Sequence, residues 1–291
     1  MINILILNWN STELVLQSLN QLTKSTYPKF RVLLINNFSS TNDLFRIREI
    51  HKQFIKYFDI FLIENEKNIG YAGGNNKGLK FLDENNLTGD ILILNPDILI
   101  SENTISEMKS KLKAGIGIVT VRIVNEQKKI IFDAIKLKGF IEKYLITTKD
   151  EIETDYSQGA CLLIKRNTID QIGLFDERFF LYWEEVDFSL RVRKNGERLI
   201  ATTSTQAVRI KNEINRQPQA FYYSVRNALL IKSKHADFFS RFDYWIYILY
   251  MLLLTIKFLP NFKIFRLTIS NIYWAIKDSQ NNKYSCREEH Q

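Results

Sequence analysis

A chain of 291 residues is long enough for one large domain, or for one domain with an appendage. Its 45% apolar and 25% charged residues are typical of a globular protein, while two distant cysteines and three histidines argue against a disulfide framework, a zinc cluster and a histidine-based metal site. The formal net charge is +8, and the segment 191–234 carries all of it, with ten Lys and Arg residues against Glu197 and Glu213.

The first half of the sequence alternates short apolar runs with amphipathic stretches of helical length. Runs that are almost entirely apolar are typical of strands buried on both faces. The predicted strands cover residues 2–7, 31–35, 59–63 and 90–94, and the predicted helices cover roughly 11–23, 41–56 and 71–84. The first run lacks the basic segment and cleavage site of a signal peptide, so we interpret it as a strand. This alternation predicts an α/β fold with a mostly parallel sheet between layers of helices.

Polar residues follow each predicted strand, at the edge of the sheet where ligands of parallel sheets bind. They are Asn8-Trp9-Asn10, Asn36-Asn37, Glu64-Asn65 and Asn95-Pro96-Asp97. Their amides are suited to hydrogen bonds with the base and ribose of a nucleotide. Asn10, with Glu13 three residues later, also predicts a capped start for the first helix.

A glycine-rich segment, Asn68–Gly78, opens the third predicted helix. Gly73 and Gly74 would lie near the helix start, where free backbone amides and the helix dipole favour an anion. The spacing does not match a dinucleotide fingerprint, and the segment follows the third strand instead of the first. A glycine-rich helix entry without a ligand is therefore the alternative interpretation.

Asp97 closes the fourth predicted strand, directly after Pro96, which cannot continue a strand ladder. One carboxylate together with diphosphate oxygens and water is a common way to hold Mg²⁺ or Mn²⁺ at a nucleotide site. Asp97 is therefore a candidate metal ligand. The plainer alternative is an aspartate in the turn that ends a strand.

The region 115–165 contains strand-like runs without a long helix, so we expect a mixed, partly antiparallel part of the fold. It leads to an acidic segment in which Leu181–Lys194 is predicted to be helical. Helical spacing places Glu184 and Asp187 on one face and turns Glu185 elsewhere. Carboxylates that lie close together in a partly dry cleft acquire raised pKa values, which suits a general base. An acidic first turn that complements the helix dipole is the alternative.

From about residue 218 the pattern becomes wholly helical. It includes Tyr244–Ile256, an uncharged run of 13 residues, which is short of the roughly 20 that a membrane-spanning helix needs. Helices that lie on a membrane surface and helices that pack on the first domain are equally supported. The predicted boundaries are 1–217 for a catalytic domain, 218–279 for a helical extension and 280–291 for a flexible tail.

The basic segment 191–234 allows several interpretations. A solvated basic face is the plain one, whereas a phosphate-binding wall or a surface for anionic lipid would be functional. No recognised nucleic-acid-binding motif accompanies the charge, so we do not expect a nucleic acid partner.

Six motifs occur in one order along the chain: LILNWNS, INNFSS, NIGYAGGNNKG, LNPDI, GLFDERFFLYWEEVDFSLRVRKNG and YYSVRN. This order resembles that of the inverting family 2 glycosyltransferases of the GT-A fold, with the strongest resemblance to their bacterial rhamnosyltransferase-like branch. The resemblance covers about residues 2–230. The single motifs are not specific, but the six in order are.

The resemblance, together with the strand-end pattern, gives a set of candidate site residues. Those for the nucleotide sugar are Asn8, Asn10, Asn36, Asn68, Gly70, Asn75, Asn95, Arg191 and Arg226. Asp97 matches the last aspartate of the family's metal-binding DxD element. Glu185 lies where the family has the aspartate of its ED pair, the general base, and Glu184 and Asp187 are the neighbouring catalytic candidates.

Three departures from the family pattern affect these assignments. Asn36 stands where the family usually has an aspartate, which removes a charge but keeps a hydrogen-bond acceptor. Glu185 is one methylene longer than the usual aspartate. Where the family often has a histidine, the chain offers Arg209 or Lys211, either of which could meet a diphosphate but would not ligate a metal.

The sequence thus predicts an inverting glycosyltransferase that uses a nucleoside-diphosphate sugar with Mg²⁺ or Mn²⁺. By resemblance, the donor is dTDP-rhamnose or a UDP-hexose, and the acceptor is a glycan or lipid-linked glycan of a surface polysaccharide. We expect a cytoplasmic enzyme at the inner face of the plasma membrane, with homo-oligomerisation left open. The alternatives are a sugar nucleotidyltransferase and a non-catalytic paralogue that binds a glycan or a partner enzyme.

Overall fold

The computed structural model describes residues 1–210 and 217–284. Twelve strands lie within these residues, ten of them in one sheet and two in a separate hairpin. They are β1 (Ile2–Asn8), β2 (Phe30–Asn36), β3 (Ile60–Glu64), β4 (Asp90–Leu94), β5 (Ile98–Ile100), β6 (Ile116–Val124), β7 (Ile130–Phe132), β8 (Ala134–Lys138), β9 (Ile141–Leu145), β10 (Glu151–Glu153), β11 (Cys161–Ile164) and β12 (Arg198–Arg209).

Nine α-helices lie within the same described ranges. They are α1 (Thr12–Leu22), α2 (Thr41–Phe54), α3 (Gly70–Glu84), α4 (Thr104–Lys111), α5 (Arg166–Ile172), α6 (Glu184–Lys194), α7 (Gln217–Lys234), α8 (Arg241–Thr255) and α9 (Phe262–Gln280). The strands and helices predicted for the first half of the sequence are all present, with ends shifted by no more than two residues.

The strand order in the sheet is β10-β12-β6-β11-β4-β1-β2-β3, with β5 paired to β12 and β7 to β6. Strands β1 to β4 run parallel, whereas β11 runs antiparallel to both β4 and β6. The register pairs Asn8 with Asn36 and Asn36 with Glu64. Polar residues at the carboxyl ends of three strands therefore lie in one row, and the predicted mostly parallel α/β sheet is confirmed.

Alternate residues of the central strands fill two apolar layers, one on each face of the sheet. Ile4 and Leu34 belong to one layer, and Leu5 and Leu33 to the other. All four side chains are fully buried. Because helices cover both faces, the strands are continuously apolar in sequence although their side chains alternate in direction.

The predicted capped start of the first helix is wrong. Asn10 has a left-handed φ of 52°, and Ser11 takes the N-cap position without a capping bond from its side chain. The Oδ1 atom of Asn10 accepts a hydrogen bond from the backbone amide of Ser40 at 2.8 Å. Asn10 therefore joins the loops after β1 and β2.

The acidic helix α6 begins at Glu184, three residues later than predicted. Tyr182 and Trp183 have left-handed φ values of 67° and 75°, and Phe180 has one of 53°. These values are incompatible with a right-handed helix and are uncommon for bulky side chains. Tertiary contacts must hold this segment, because its local sequence does not favour it.

The C-terminal helices pack on the sheet domain. Tyr222, Tyr223 and Val225 of α7 belong to the same apolar layer as the sheet residues, and α9 lies along α7. Among the described residues, we find no helix with the length and apolarity needed to cross a membrane. The domain boundaries given above remain predictions. Lys211 and the last part of the predicted tail, residues 285–291, lie outside the described residues.

Candidate active site

An amide-lined cleft of about 660 Å³ opens at the carboxyl ends of β1, β2 and β3. Three of the predicted nucleotide-binding residues, Asn10, Asn36 and Asn68, line it. The other lining residues are Trp9, Phe38, Ser39, Ser40, Thr41, Leu44, Glu64, Asn65 and Glu66. Aromatic and amide groups together can stack on a flat base and bond to its edge. The lining of this cleft is therefore suited to a nucleoside.

Asn8 lies beneath this cleft and is fully buried. Its Nδ2 donates to Oδ2 of Asp43 at 2.7 Å and to Oδ1 of Asn36 at 3.2 Å, while its Oδ1 accepts from the backbone amide of Ser11 at 3.1 Å. Both ends of the amide are therefore occupied by protein. Asn8 holds Asn36 in place, so its predicted direct contact with a nucleotide is not supported.

Asn37, which the sequence did not identify as a site residue, holds together the loop after β3 beside the cleft. Its Nδ2 donates to Oδ1 of Asn68 at 2.9 Å and to the Gly70 carbonyl at 3.1 Å. Its Oδ1 accepts from Nδ2 of Asn65 and from the amide of Ile69, both at 3.1 Å. The only signal in the sequence is its place beside Asn36 at a strand end.

The predicted anion site at the start of α3 is wrong. The backbone amides of Tyr71 and Ala72 donate to the Phe180 carbonyl, at 2.6 and 3.4 Å, so they are not available to a phosphate. Gly70 has a φ of 78°, and a Cβ there would lie 2.6 Å from Cδ2 of Phe180. A Cβ on Gly74 would collide with Leu7. The glycines allow close packing, which is the ligand-free alternative stated above.

Asn75 is also part of this packing. It is fully buried on α3, and its Nδ2 donates to the Tyr71 carbonyl at 2.9 Å. Its Oδ1 has no hydrogen-bond partner among the described residues. Asn75 thus supports the backbone at Tyr71 from behind and does not line the nucleoside cleft.

Two adjacent glutamates, Glu184 and Glu185, begin α6. Burial raises the pKa of Glu184 well above its ordinary value, and the charge of Glu185 raises it further. Burial also raises the pKa of Glu185, to about 7, with a further contribution from the charge of Glu142. Because both pKa values are raised, one proton held between the pair near neutral pH would leave one carboxylate able to act as a base.

Tyr71 connects the acidic pair with Asp97. Its hydroxyl donates to the Gly159 carbonyl. Burial raises the pKa of this phenol, and the charges of Glu184, Glu185 and Asp97 raise it further. Charges act in this way only over short distances in a protein interior. Asp97, Glu184 and Glu185 therefore all lie near the Tyr71 phenol, and that they line one crevice stays a prediction.

Arg209 lies beside Asp97. The β5–β12 ladder pairs Ile98 with Arg209, and the amide of Ile210 donates to the Asp97 carbonyl at 2.8 Å. The Arg209 guanidinium donates to Oε1 of Gln158 at 2.7 Å. Of the two cations considered as substitutes for the family histidine, only Arg209 lies within the described residues.

A divalent metal fits this site only with ligands from a substrate. Asp97 and Asn95 are half-buried at the end of β4. The described residues contain no group of three or more His, Cys, Asp and Glu side chains that could hold an ion. Oxygen ligands suit Mg²⁺ and Mn²⁺, which keep several non-protein ligands in nucleotide sites. Asp97 is the residue that would hold such an ion.

Asp187 does not join the acidic pair. It is fully buried and lies 2.7 Å from Nζ of Lys234, 2.9 Å from Nε2 of His235 and 2.9 Å from Nε of Arg191. Burial acts to raise its pKa, but the His235 hydrogen bond and the charges of Arg191 and Lys234 outweigh burial and lower it. An ionised carboxylate that contacts two cations and a histidine ring nitrogen is poorly suited to accept a proton. Its predicted catalytic role is therefore not supported.

The two arginines predicted to bind nucleotide sugar also have other partners. Arg191 donates to the carbonyls of Ile172, Gly173 and Leu174 as well as to Asp187. Its guanidinium therefore fastens the chain that enters the acidic segment to helix α6.

Arg226 is fully buried on α7 and donates to the carbonyls of Arg178 and Phe179, at 3.1 and 3.2 Å. The neighbouring Asn227 donates to the carbonyls of Leu181 and Tyr182, both at 2.8 Å. These bonds explain how the left-handed segment before Glu184 is held. Arg226 builds the acidic segment instead of contacting a nucleotide.

Comparison with known proteins agrees with this architecture. Residues 3–173, more than half of the chain, match the profile of Glycosyl transferase family 2. The chain is 30% identical over 154 residues to the low-salt glycan biosynthesis hexosyltransferase Agl10 of Haloferax volcanii, with 50% of each chain covered. It is 24% identical over 166 residues to the rhamnosyltransferase WbbL of Escherichia coli K12, covering 50% of this chain and 63% of WbbL. It thus spans about half the length of the first relative and under two thirds of the second.

Solved structures share the fold at low sequence identity. GalNAc-T7 with UDP, GalNAc and Mn²⁺ has a TM-score of 0.64 at 12% identity, covering 97% of this chain and 57% of that one. The mannosyltransferase PcManGT of Pyrobaculum calidifontis with GDP-Man and Mn²⁺ has a TM-score of 0.58 at 12% identity, covering 97% and 73%. The predicted GT-A fold is confirmed, and the chain belongs to glycosyl transferase family 2.

Proposed function

We propose that this chain is an inverting glycosyltransferase that moves a sugar from a nucleoside-diphosphate donor to a hydroxyl of a glycan or lipid-linked glycan. The observation that carries the proposal is the convergence of Asp97, Glu184 and Glu185 around Tyr71. Together with the amide-lined cleft, it provides a nucleoside site, a ligand for a diphosphate-bound cation and a base in one crevice.

The donor side of the reaction uses the cleft and Asp97. Asn10, Asn36 and Asn68 would bind the nucleoside, and Arg209 would lie near the diphosphate because it neighbours Asp97. A divalent ion held by Asp97, Mg²⁺ or Mn²⁺, would supply positive charge for the leaving diphosphate. The Mn²⁺ in the structures of GalNAc-T7 and PcManGT supports this assignment.

The acceptor side uses the acidic pair. Glu185, whose pKa lies at about 7, is ionised in a large fraction of molecules at neutral pH and takes the proton of the acceptor hydroxyl. The hydroxyl oxygen attacks the anomeric carbon from the face opposite the diphosphate. The bond between that carbon and the phosphate oxygen breaks, and its electron pair leaves with the diphosphate. Glu184 retains the shared proton, which keeps the pair from carrying two adjacent charges.

The donor sugar is proposed from the named relatives. WbbL supports dTDP-rhamnose, and the hexosyltransferase Agl10 supports a hexose donor such as a UDP-hexose. Asn36 suits either nucleotide, because its amide can bond to the ring of thymine or uracil. The role of the relatives in glycan and O-antigen biosynthesis supports a surface polysaccharide as the product.

Nucleoside diphosphate release tests the proposal. A panel of dTDP-rhamnose, UDP-hexoses and GDP-mannose, with Mn²⁺ or Mg²⁺, should reveal one preferred donor. Asp97→Asn and Glu185→Gln should each lose about a hundredfold or more of this activity, because each removes a group that acts on the reacting atoms. Glu153→Gln should keep it, since Glu153 is an exposed carboxylate paired with Arg198.

Two outcomes would point to the alternatives. Release of pyrophosphate from a nucleoside triphosphate and a sugar phosphate would favour a nucleotidyltransferase. A ligand that binds only the folded state must stabilise it. If none of the nucleoside-diphosphate sugars raises the melting temperature, the result would favour the non-catalytic paralogue.

We further infer that α8 lies on the cytoplasmic face of the plasma membrane. Large apolar residues are exposed on its outer side and directly after its end, and we call them the α8 surface: Phe242, Trp245, Ile246, Leu249, Tyr250, Leu253 and Ile256. The exposed cations beside it are Arg241, Lys257, Lys263 and Arg266. An apolar, aromatic face flanked by cations complements an anionic lipid surface, and such a surface would present lipid-linked acceptors to the crevice.

A further inference from the structure

The hairpin β8–β9 is fastened directly beside the acidic pair. Phe140 at its tip lies 5.3 Å from the ring of Trp183, 4.6 Å from that of Phe239 and 5.1 Å from that of Tyr247, measured between centroids. Trp183 directly precedes Glu184. Buried aromatic contacts of this kind fix the position of the hairpin relative to α6 and α8.

Glu142 lies on this hairpin, two residues after Phe140. Its carboxylate accepts a hydrogen bond from the Tyr144 hydroxyl at 2.6 Å and from the Tyr156 hydroxyl at 2.8 Å. Glu142 is exposed, whereas Tyr156 is buried. The two tyrosine hydroxyls thus fix the orientation of the Glu142 carboxylate, which remains exposed to solvent. A carboxylate accepts about four hydrogen bonds, so two acceptor positions are left for a ligand.

The charge of Glu142 reaches the proposed base. It contributes to the raised pKa of Glu185, and the charges of both Glu142 and Glu185 raise the pKa of Tyr156. Glu142 and Glu185 therefore approach the same tyrosine from different elements. One carboxylate oxygen of Glu185, Oε2, is buried and has no hydrogen-bond partner among the described residues. This oxygen could therefore accept a hydrogen bond from an acceptor hydroxyl.

An aromatic wall continues from Glu142 towards Asp97. The ring of Tyr144 is 50% exposed and stacks on Phe132 at 5.3 Å. The guanidinium carbon of Arg209, which neighbours Asp97, lies 6.0 Å from the ring of Phe132. The exposed ring of Tyr144 thus lies between the carboxylate of Glu142 and Arg209, on the side proposed for the diphosphate.

The chemistry of this group of side chains selects its ligand. The exposed carboxylate of Glu142, held by two tyrosine hydroxyls, would repel a phosphate or any other anion. A neutral sugar satisfies the site, because its hydroxyls donate to carboxylates and its apolar ring face packs on an aromatic ring. We propose that Glu142, Tyr144 and Tyr156 form the acceptor-sugar subsite, in which Glu142 binds a hydroxyl next to the one that Glu185 deprotonates. This assignment rests on the proposed function.

Kinetics with the preferred donor test the subsite. Glu142→Gln keeps an acceptor oxygen for the tyrosines and removes the charge, so the KM for the acceptor should rise about tenfold or more. The KM for the donor should stay within about twofold, because donor and subsite do not touch. Tyr144→Ala should behave in the same way. Lys143→Gln, on the same strand, is the matched control and should match the wild type.

Direct binding separates this proposal from the proposed function. Saturation-transfer NMR with octyl glycosides of glucose, galactose and N-acetylglucosamine should detect binding of at least one to the wild type. Binding should weaken about tenfold in Glu142→Gln and persist in Asp97→Asn. Binding without any transfer activity would leave the subsite standing and overturn the proposed function. Failure of the wild type to bind all three, or equal binding by Glu142→Gln, would overturn the subsite.

Discussion

Two carboxylates three residues apart on α6 have opposite surroundings. Glu184 is buried beside another carboxyl group, so its pKa is raised. Asp187 is equally buried, but the His235 hydrogen bond and the charges of Arg191 and Lys234 lower its pKa. Helical spacing alone placed both on one face and could not distinguish them. The difference comes from Lys234, the last residue of α7, and from His235, which follows it.

These opposite shifts predict opposite effects of removing the charge. A carboxyl group with a raised pKa binds its proton more tightly in the folded state, so its stabilising effect is lost as the pH rises. Glu184→Gln should therefore melt near the wild-type temperature at about pH 5 and above it at about pH 8. Asp187→Asn should lower the free energy of unfolding near neutral pH by roughly 1 to 3 kcal/mol. It removes a buried charged acceptor, although Arg191 keeps its backbone carbonyl partners and Lys234 keeps Asp176.

Calorimetry at the two pH values measures both effects. The Asp187 contribution is present above the pKa of the unfolded chain and disappears as the solution is acidified through the lowered pKa of the folded state. A Glu184→Gln variant with the same stability difference at both pH values would mean that Glu184 is ionised throughout. The shared-proton account of the acidic pair would then be wrong.

At the scale of elements, the left-handed segment before α6 joins three parts of the fold. Its Phe180 carbonyl accepts the first amides of α3, and its other carbonyls accept from Arg226 and Asn227 of α7. Gly70 makes the first of these contacts possible because it has no side chain. The acidic pair is thus positioned by a glycine and an amide that lie far apart in sequence.

Gly70→Ala should therefore disturb the active site more than an ordinary glycine replacement. Gly115 has nearly the same φ, 75° against 78°, but open space around it. Gly115→Ala should cost about 1 kcal/mol for the backbone conformation alone. Gly70→Ala should cost about 1 to 3 kcal/mol more through its collision with Phe180. Urea denaturation measures the loss in free energy of unfolding for both variants. Equal losses would show that the contact with Phe180 does not contribute.

The sequence predicted the elements better than it predicted the partners of single residues. Strands such as residues 31–35 are recognisable because burial on both faces leaves a local apolar run. The roles of Arg191 and Arg226 depend on backbone carbonyls up to 48 residues away, and no local pattern reports them. Glu142 was missed for a related reason, since a lone glutamate in a strand-like run carries no signal until the hairpin is placed beside α6.

At the scale of the whole molecule, one helix carries both the exposed α8 surface and a contact with the β8–β9 hairpin. Tyr247 of α8 contacts Phe140 and Trp183, while Trp245 and Leu249 on the same helix are exposed. An enzyme seated on lipid through α8 would therefore hold the acceptor subsite close to the headgroups. This geometry suits an acceptor whose sugar is attached to a lipid.

Vesicle binding tests this arrangement. The chain should sediment with phosphatidylcholine vesicles that contain phosphatidylglycerol, and less with phosphatidylcholine alone or at high salt. Replacing Trp245 and Leu249 together by lysine should abolish sedimentation, because it removes buried apolar area. Phe45→Ser, which changes an exposed apolar residue on α2, should have no effect. A concentration-dependent dimer in light scattering that the double variant abolishes, without lipid binding by the wild type, would show that a second copy covers the surface.

The contacts of Asp187 with Lys234 and His235, at the end of α7, limit how the C-terminal helices of such enzymes can be replaced. The family profile ends at residue 173, before the acidic pair, and the groups that neutralise Asp187 come from Lys234 and His235. A related enzyme that acquired different C-terminal helices, suited to another acceptor or another membrane, would need groups in those helices that pair with Asp187. Swaps that cut the chain between α6 and α7 should therefore yield inactive chimaeras. Those spliced after α8 would keep Lys234, His235 and the aromatic contacts of Phe140 with Phe239 and Tyr247, and should retain turnover.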